Sequence, residues 1–228
     1  MLAIFDRNHI THAMVTGNPT RHVEGLHAHA PERIIPFLSV YDSFRDKRDW
    51  MHDETIPARV ERDLESGIYR GIGELHIFAK DRKSPVLRRL VEIAAERDLM
   101  LSIHGDAEII DEIFAIAPDV TVLWAHMGTR PEPAFLREVL ARHPEGLYID
   151  TSVRDDRIIP EGEILPEWRQ LFIDHADRFL VGVDTFSVNR WQHFDQVAAK
   201  IRRWLDQLPP DVARQLAHEN AEQLFLEQ

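Results

Sequence analysis

The sequence contains no cysteine, so neither a disulfide nor a thiolate metal ligand is available to this chain. Any metal ion would therefore have to be bound by histidine, aspartate or glutamate. The chain also has no apolar run close to the roughly 20 residues that a membrane helix needs. Residues 1–8 lack the basic segment and long apolar core of a secretion signal. The lack of a membrane run and of a secretion signal predicts a cytoplasmic protein with no membrane partner, while the lack of cysteine leaves the redox compartment open.

Positive charge is also in short supply. The chain has 27 Lys and Arg against 39 Asp and Glu, which gives a formal net charge of −12. A surplus of acidic residues disfavours non-specific binding to nucleic acid or to an anionic membrane surface. The composition therefore favours a small-molecule substrate as the partner, and a homodimer is an open expectation.

What the sequence does contain is a regular alternation of short apolar or β-branched runs with longer stretches of helical periodicity. Seven runs are predicted to be strands, at residues 9–17, 33–41, 69–77, 99–106, 120–128, 147–153 and 179–186. Strands and helices that alternate at this spacing predict parallel strands joined by right-handed crossovers, and hence an α/β fold. A barrel and an open sheet both satisfy this pattern. The length predicts a single domain over residues 1–228.

Three of the predicted strands end in a residue that can bind a metal. His104, His126 and Asp184 each come at the carboxyl end of a different strand, which is where a barrel places its catalytic groups. Imidazole and carboxylate groups that converge there can hold a metal ion and leave one position open for water. For each residue alone, a capping or hydrogen-bonding role explains the pattern as well. The three together favour a reaction centre.

Three further residues lie just beyond strand ends and are candidates for substrate binding. Arg154 follows the strand at 147–153 and could bind a substrate carboxylate through two parallel hydrogen bonds. An arginine on a loop with two aspartates is also commonly solvated. Arg130 follows His126 and Trp191 follows Asp184, and the same alternatives apply to both.

Six motifs, in their order and spacing, resemble the amidohydrolase superfamily, and more narrowly its amidohydrolase-related group of carboxymuconate-semialdehyde-decarboxylase-like enzymes. They are GIGELH at 71–76, LSIHGD at 101–106, LWAHMG at 123–128, YIDTS at 148–152, LVGVDTF at 180–186 and LAHENAEQLF at 216–225. The resemblance spans nearly the whole chain. It implies a TIM (β/α)₈-type barrel and a metal-dependent hydrolase that attacks an amide, lactone or ester-like bond with activated water. A non-oxidative decarboxylase on the same scaffold is the alternative.

The resemblance also implies roles for individual residues. By strand order, His104 corresponds to a metal ligand, Asp184 to a ligand and water-activating base, and His126 to a second ligand or a catalytic acid/base. Glu74 stands where some relatives have a bridging carboxylate, although a hydrogen-bonded carboxylate in the barrel mouth explains that position equally. The implied cofactor is a divalent metal, with Zn²⁺ expected first and Mn²⁺, Fe²⁺ or Co²⁺ as alternatives.

The first strand of the family, which carries two metal ligands one residue apart, has no counterpart in this sequence. His27 and His29 have the spacing but fall in a predicted helix, where residues two apart point to different sides. Glu74 and His76 have it too, yet only four predicted strands follow them. We therefore expect an N-terminally truncated barrel with about seven of eight strands, which is either part of a complete enzyme or an inactive remnant.

Overall fold

The computed structural model describes residues 1–43 and 45–226, and in this part the chain alternates strands with helices. The strands are β1 (Ala13–Val15), β2 (Ile34–Leu38), β3 (Gly71–His76), β4 (Met100–His104), β5 (Val122–Trp124), β6 (Leu147–Asp150) and β7 (Phe179–Leu180). The α-helices are α1 (Leu2–Arg7), α2 (Arg21–His29), α3 (Ile56–Leu64), α4 (Pro85–Glu96), α5 (Ala107–Ile116), α6 (Pro133–Arg142), α7 (Asp155–Ile158), α8 (Pro166–Asp174), α9 (Val188–Gln192), α10 (Phe194–Leu205), α11 (Pro210–Arg214) and α12 (Asn220–Phe225). Short 3₁₀ turns lie at Asp46–Arg48, Trp50–His52, Ala79–Asp81, Ala125–Met127 and Ala176–Arg178, and a π-helical turn lies at Gln215–Glu219. None of the helices in the described ranges is long and apolar enough to cross a membrane.

The contacts of the chain group it into two compact units. The larger unit comprises His12–Thr129 and His143–Leu147, and the smaller one comprises Met1–Thr11, Arg130–Arg142 and Tyr148–Gln228. In the larger unit, β1 to β5 pair in chain order and in parallel. In the smaller unit, β6 and β7 also pair in parallel. Each predicted strand run thus contains one observed strand, and the predicted α/β class is confirmed; the single domain stays a prediction.

The core of the larger unit is built from buried strand residues and from the apolar faces of helices. All five residues of β2 are buried, as expected for a parallel strand that is covered on both faces. In α4, the buried residues recur at helical spacing, which gives the helix one apolar face. Two residues define the start of this helix. The Ser84 hydroxyl caps it by accepting hydrogen bonds from the Val86 and Leu87 amides, and Pro85 occupies the first helical position.

The ends of β3, β4 and β5 determine where polar side chains emerge in the larger unit. The register between β3 and β4 shifts after Ile72 and then places His76 opposite His104. β5 ends at Trp124, earlier than predicted, so His126 lies on a 3₁₀ turn and not on the strand. His126 has φ 59°. This backbone conformation is left-handed, so the extended strand cannot continue past this residue. Gly128 completes the turn at φ 67°, where a Cβ would fall 2.1 Å from the Trp124 ring.

The smaller unit has an aromatic core around β7. The Phe172 ring stacks on Trp204 at a centroid distance of 5.3 Å and meets Phe179 edge-on at 5.1 Å. The predicted strand at 179–186 is shorter than expected, because the Val181 amide bonds to the Leu216 carbonyl in the π-helical turn and not to a strand. Asp184 therefore lies in an irregular segment after β7.

Candidate metal centre

Three side chains of the larger unit converge where β3, β4 and β5 end. Oε1 of Glu74 lies 3.1 Å from Nδ1 of His104 and 2.9 Å from Nε2 of His126. One potential ligand atom from each residue lies within 4.8 Å of the other two. The Glu74 side chain is 19% exposed and that of His126 is 9% exposed. We call these three residues the Glu-His-His cluster.

His76 supports this cluster from the β3 side. Its Nε2 lies 3.1 Å from Oε2 of Glu74 and 3.0 Å from Nζ of Lys47. Its ring stacks nearly parallel to the ring of His104, with 4.1 Å between the centroids. The Trp50 indole donates a hydrogen bond of 2.8 Å to the His76 carbonyl. His76 is thereby held between the charged Lys47 side chain and the carboxylate.

The surroundings determine which of these groups carry charge. Burial raises the pKa of Glu74, but hydrogen bonds from His104, His126 and His76 outweigh burial and hold that pKa well below its usual range. Burial lowers the pKa of His76. Burial also raises the pKa of Tyr41, whose hydroxyl oxygen accepts a hydrogen bond from the backbone amide of His76. At neutral pH, Glu74 is therefore a carboxylate beside a neutral His76 and a protonated Tyr41 phenol.

The loops that follow the three strands are tied to one another by Asp106. Its carboxylate accepts a 2.8 Å hydrogen bond from the Ala79 amide and a 2.7 Å hydrogen bond from the Thr129 hydroxyl. Ala79 follows β3, Asp106 follows β4 and Thr129 follows β5. One carboxylate thus links the segments next to all three members of the Glu-His-His cluster.

The donor set fits a divalent metal ion. Two imidazoles and a carboxylate are ligands typical of Zn²⁺ and of neighbouring transition metals, and three protein ligands leave a position open for water or substrate. In a tetrahedral site with bonds of about 2.1 Å, the ligand atoms are about 3.4 Å apart. The observed separations of 2.9 and 3.1 Å are close to that value, so small side-chain adjustments would accommodate an ion.

Asp184, the third strand-end residue singled out in the sequence, lies in the smaller unit. It has φ 50°, and Arg190 donates hydrogen bonds to its carbonyl oxygen and to that of Val183. Arg190 thus fixes the backbone of the segment that carries Asp184. The role of Asp184 as a metal ligand and base stays a prediction.

The predicted substrate-binding residues also lie in the smaller unit. Arg154 directly precedes α7, and burial lowers the pKa of its guanidinium. Arg130 is exposed and pairs with Glu132 at 2.9 Å. Trp191, in α9, stacks on Phe194 with 5.6 Å between the ring centroids. Their roles in substrate binding stay predictions.

Lys47 is a residue of the site region that the sequence did not single out. It lies on the 3₁₀ turn Asp46–Arg48, in a charged stretch that looks like an ordinary solvated loop. Its Nζ lies 3.0 Å from Nε2 of His76, which is 29 residues away in the chain, and 5.6 Å from the centroid of the Tyr41 ring. No local pattern carries that information.

Comparison with known proteins assigns the family. A family model described as Amidohydrolase matches residues 2–226, and the chain therefore belongs to the amidohydrolase family, as the motifs predicted. A search of curated proteins found no match.

Several solved structures share the fold. The chain is similar to 2,6-dihydroxybenzoate decarboxylase from Rhizobium, with 14% identity, a TM-score of 0.66, and coverage of 98% of this chain and 86% of that one. It is similar to 4-oxalomesaconate hydratase from Rhodopseudomonas palustris, with 12% identity, a TM-score of 0.63, and coverage of 98% and 79%. A zinc-bound amidohydrolase from Burkholderia multivorans gives 13% identity, a TM-score of 0.63, and coverage of 98% and 86%. These likenesses confirm the TIM-barrel type of fold, with seven strands in the described residues.

Proposed function

We propose that the chain is a divalent-metal-dependent hydrolase that cleaves an amide, lactone or ester-like bond of a small molecule. The observation that carries this proposal is the Glu-His-His cluster, in which one carboxylate oxygen lies within 3.1 Å of two imidazole nitrogens. Glu74, His104 and His126 would hold the ion, with Zn²⁺ as the first expectation. Membership of the amidohydrolase family supports metal-dependent catalysis as the general class.

Once bound, the ion would supply Lewis acidity toward a carbonyl oxygen and toward water. His76 keeps the Glu74 carboxylate in place by bonding its second oxygen at 3.1 Å, as outer partners of metal ligands commonly do. The exposed Phe78 side chain meets the His104 ring edge-on at 6.2 Å and offers an apolar wall for substrate. Asp184 is our candidate for the general base, following the role that the sequence motif implies.

Decarboxylation is the second candidate function, and two observations favour it. Three of the similar solved structures are decarboxylases, two of them named for 2,6-dihydroxybenzoate and one for 5-carboxyvanillate. The Lys47 ammonium also lies beside the cluster, within reach of His76. In this reaction the bond to the carboxylate breaks, CO₂ leaves, and a proton from His126 or Asp184 takes its place on the same carbon.

The two functions are separated by a product assay on protein loaded with Zn²⁺ or Mn²⁺. Phenyl esters and lactones report hydrolysis through acid release, while 2,6-dihydroxybenzoate reports decarboxylation through CO₂. We expect acid release that a chelator abolishes and that Glu74→Gln and Asp184→Asn both remove. Glu96→Gln, at an exposed ion pair with Arg89, is the matched control and should keep full activity.

Each alternative outcome has a definite meaning. CO₂ release without hydrolysis would replace the first function by the second. Metal-loaded protein that catalyses neither reaction would contradict both. Full activity in Asp184→Asn would remove that residue from the mechanism while leaving the metal centre intact.

A further inference from the structure

We propose that Lys47 is a specificity-determining residue that binds an anionic group of the substrate, a carboxylate in the first instance. This inference rests on the proposed metal-dependent function and adds the chemical class of the substrate to it. It makes the substrate a carboxylated small molecule, whichever bond is cleaved.

The position of Lys47 places its charge beside the reaction centre. Its Nζ lies 3.0 Å from Nε2 of His76, and the His76 ring stacks on that of His104 at 4.1 Å. The ammonium is therefore one imidazole ring away from a candidate metal ligand. Lys47 is therefore a cation that a small molecule bound on the His76 side of the cluster would meet.

The bond between Lys47 and His76 can be exchanged for a stronger one. Nε2 of His76 also lies 3.1 Å from Oε2 of Glu74, and one ring nitrogen cannot donate a hydrogen bond to Glu74 and accept one from Lys47 at the same time. A carboxylate accepts a hydrogen bond from the ammonium with a full opposite charge, and such doubly charged pairs are markedly stronger. An arriving substrate carboxylate therefore offers Lys47 a better acceptor than His76 does. Lys47 is half-buried, so solvent screens this attraction less than at an open surface.

The negative charge of the chain explains why a cation beside the cluster would help an anionic substrate to bind. The chain carries a net charge of −12, so its overall field repels an anionic substrate. A cation next to such a site offsets that repulsion locally and raises the concentration of anions there. Lys47 supplies positive charge on the His76 side of the cluster.

The test compares the binding of benzoate with that of neutral benzamide, which has nearly the same shape, by isothermal titration calorimetry. The titrations use the full chain, both loaded with Zn²⁺ and free of metal, and the Zn²⁺ content of every variant is measured separately. We expect Lys47→Met to weaken benzoate binding about tenfold, as for one lost charged hydrogen bond, and to leave benzamide binding unchanged. Lys47→Arg should retain most of the benzoate affinity.

Lys80→Met is the control, because Lys80 is 79% exposed and pairs with Asp81 at 3.3 Å. It should bind both probes as the wild type does. The inference is overturned if Lys47→Met binds benzoate as tightly as the wild type, or loses benzoate and benzamide equally. Absence of Zn²⁺ from the wild type would contradict the proposed function, and the metal-free titrations would then still decide the role of Lys47.

Discussion

Replacing Glu74 by glutamine is the perturbation that discriminates most sharply between a metal centre and a purely structural cluster. The substitution keeps the size of the side chain and removes its charge. In the structure, the two carboxylate oxygens lie 2.9–3.1 Å from ring nitrogens of His104, His126 and His76. The amide nitrogen of glutamine cannot accept a hydrogen bond, so at least one of these contacts is lost.

The size of the effect follows from these contacts. A hydrogen bond to a charged group contributes about 1.5–3 kcal/mol, and one between neutral groups contributes about 0.5–1.5 kcal/mol. Three contacts that each lose about 1 kcal/mol set an upper value of about 3 kcal/mol for the destabilisation of the metal-free protein. For metal binding, loss of an outer partner of a ligand costs about 10- to 100-fold in affinity. Loss of Glu74, which we propose as a ligand, should cost at least about 100-fold.

Urea denaturation with and without Zn²⁺ measures both quantities. A metal ion at about 100 times its dissociation constant stabilises the folded state by about 2.7 kcal/mol, so the wild type should unfold at clearly higher urea when Zn²⁺ is present. Glu74→Gln should unfold at lower urea than the wild type and should not respond to the same Zn²⁺ concentration. An equal Zn²⁺ response in the two proteins would refute the assignment of Glu74 as a ligand.

Two other substitutions test separate parts of the account. His27→Ala should leave the Zn²⁺ content unchanged and lower the unfolding free energy by about 1 kcal/mol, because it removes the 2.9 Å hydrogen bond between Nδ1 of His27 and the Ile34 carbonyl; loss of Zn²⁺ would show that the histidines of α2 belong to the metal site. Burial raises the pKa of Asp155, so its ionised form costs stability at neutral pH, and that cost fades as the pH falls toward 4. Asp155→Asn keeps an acceptor for the Trp204 indole and should raise the melting temperature at pH 7 but not at pH 4; a lower melting temperature at pH 7 would contradict this reasoning.

The fold could be predicted from the sequence because its signals are local and repeated. Apolar β-branched runs and amphipathic helices each depend on neighbouring residues, and they alternate through the whole chain. The ends of the strands could not be predicted in the same way. Just after β5, the ring of Trp124 occupies the space that a Cβ on Gly128 would fill. Just after β7, the Val181 amide bonds to the Leu216 carbonyl and not to a strand. Both contacts depend on the folded arrangement.

The candidate site was predictable to a different extent for each residue. His104 lies at the end of β4 and in the cluster, as its place on a predicted strand suggested. His126 also lies in the cluster, although it gets there through a left-handed turn. For Glu74 the sequence left two interpretations open, and the structure places it at the centre of the three residues. Lys47 could not be recognised, because a loop lysine acquires its neighbours only when distant segments come together.

The central claim, that Glu74, His104 and His126 form a metal centre, is tested most directly by anomalous diffraction. Crystals grown with Zn²⁺ would be measured on both sides of the zinc absorption edge. The account predicts an anomalous peak about 2.0–2.2 Å from a Glu74 carboxylate oxygen, Nδ1 of His104 and Nε2 of His126. Zinc bound at other residues, with no peak between these three side chains, would contradict it.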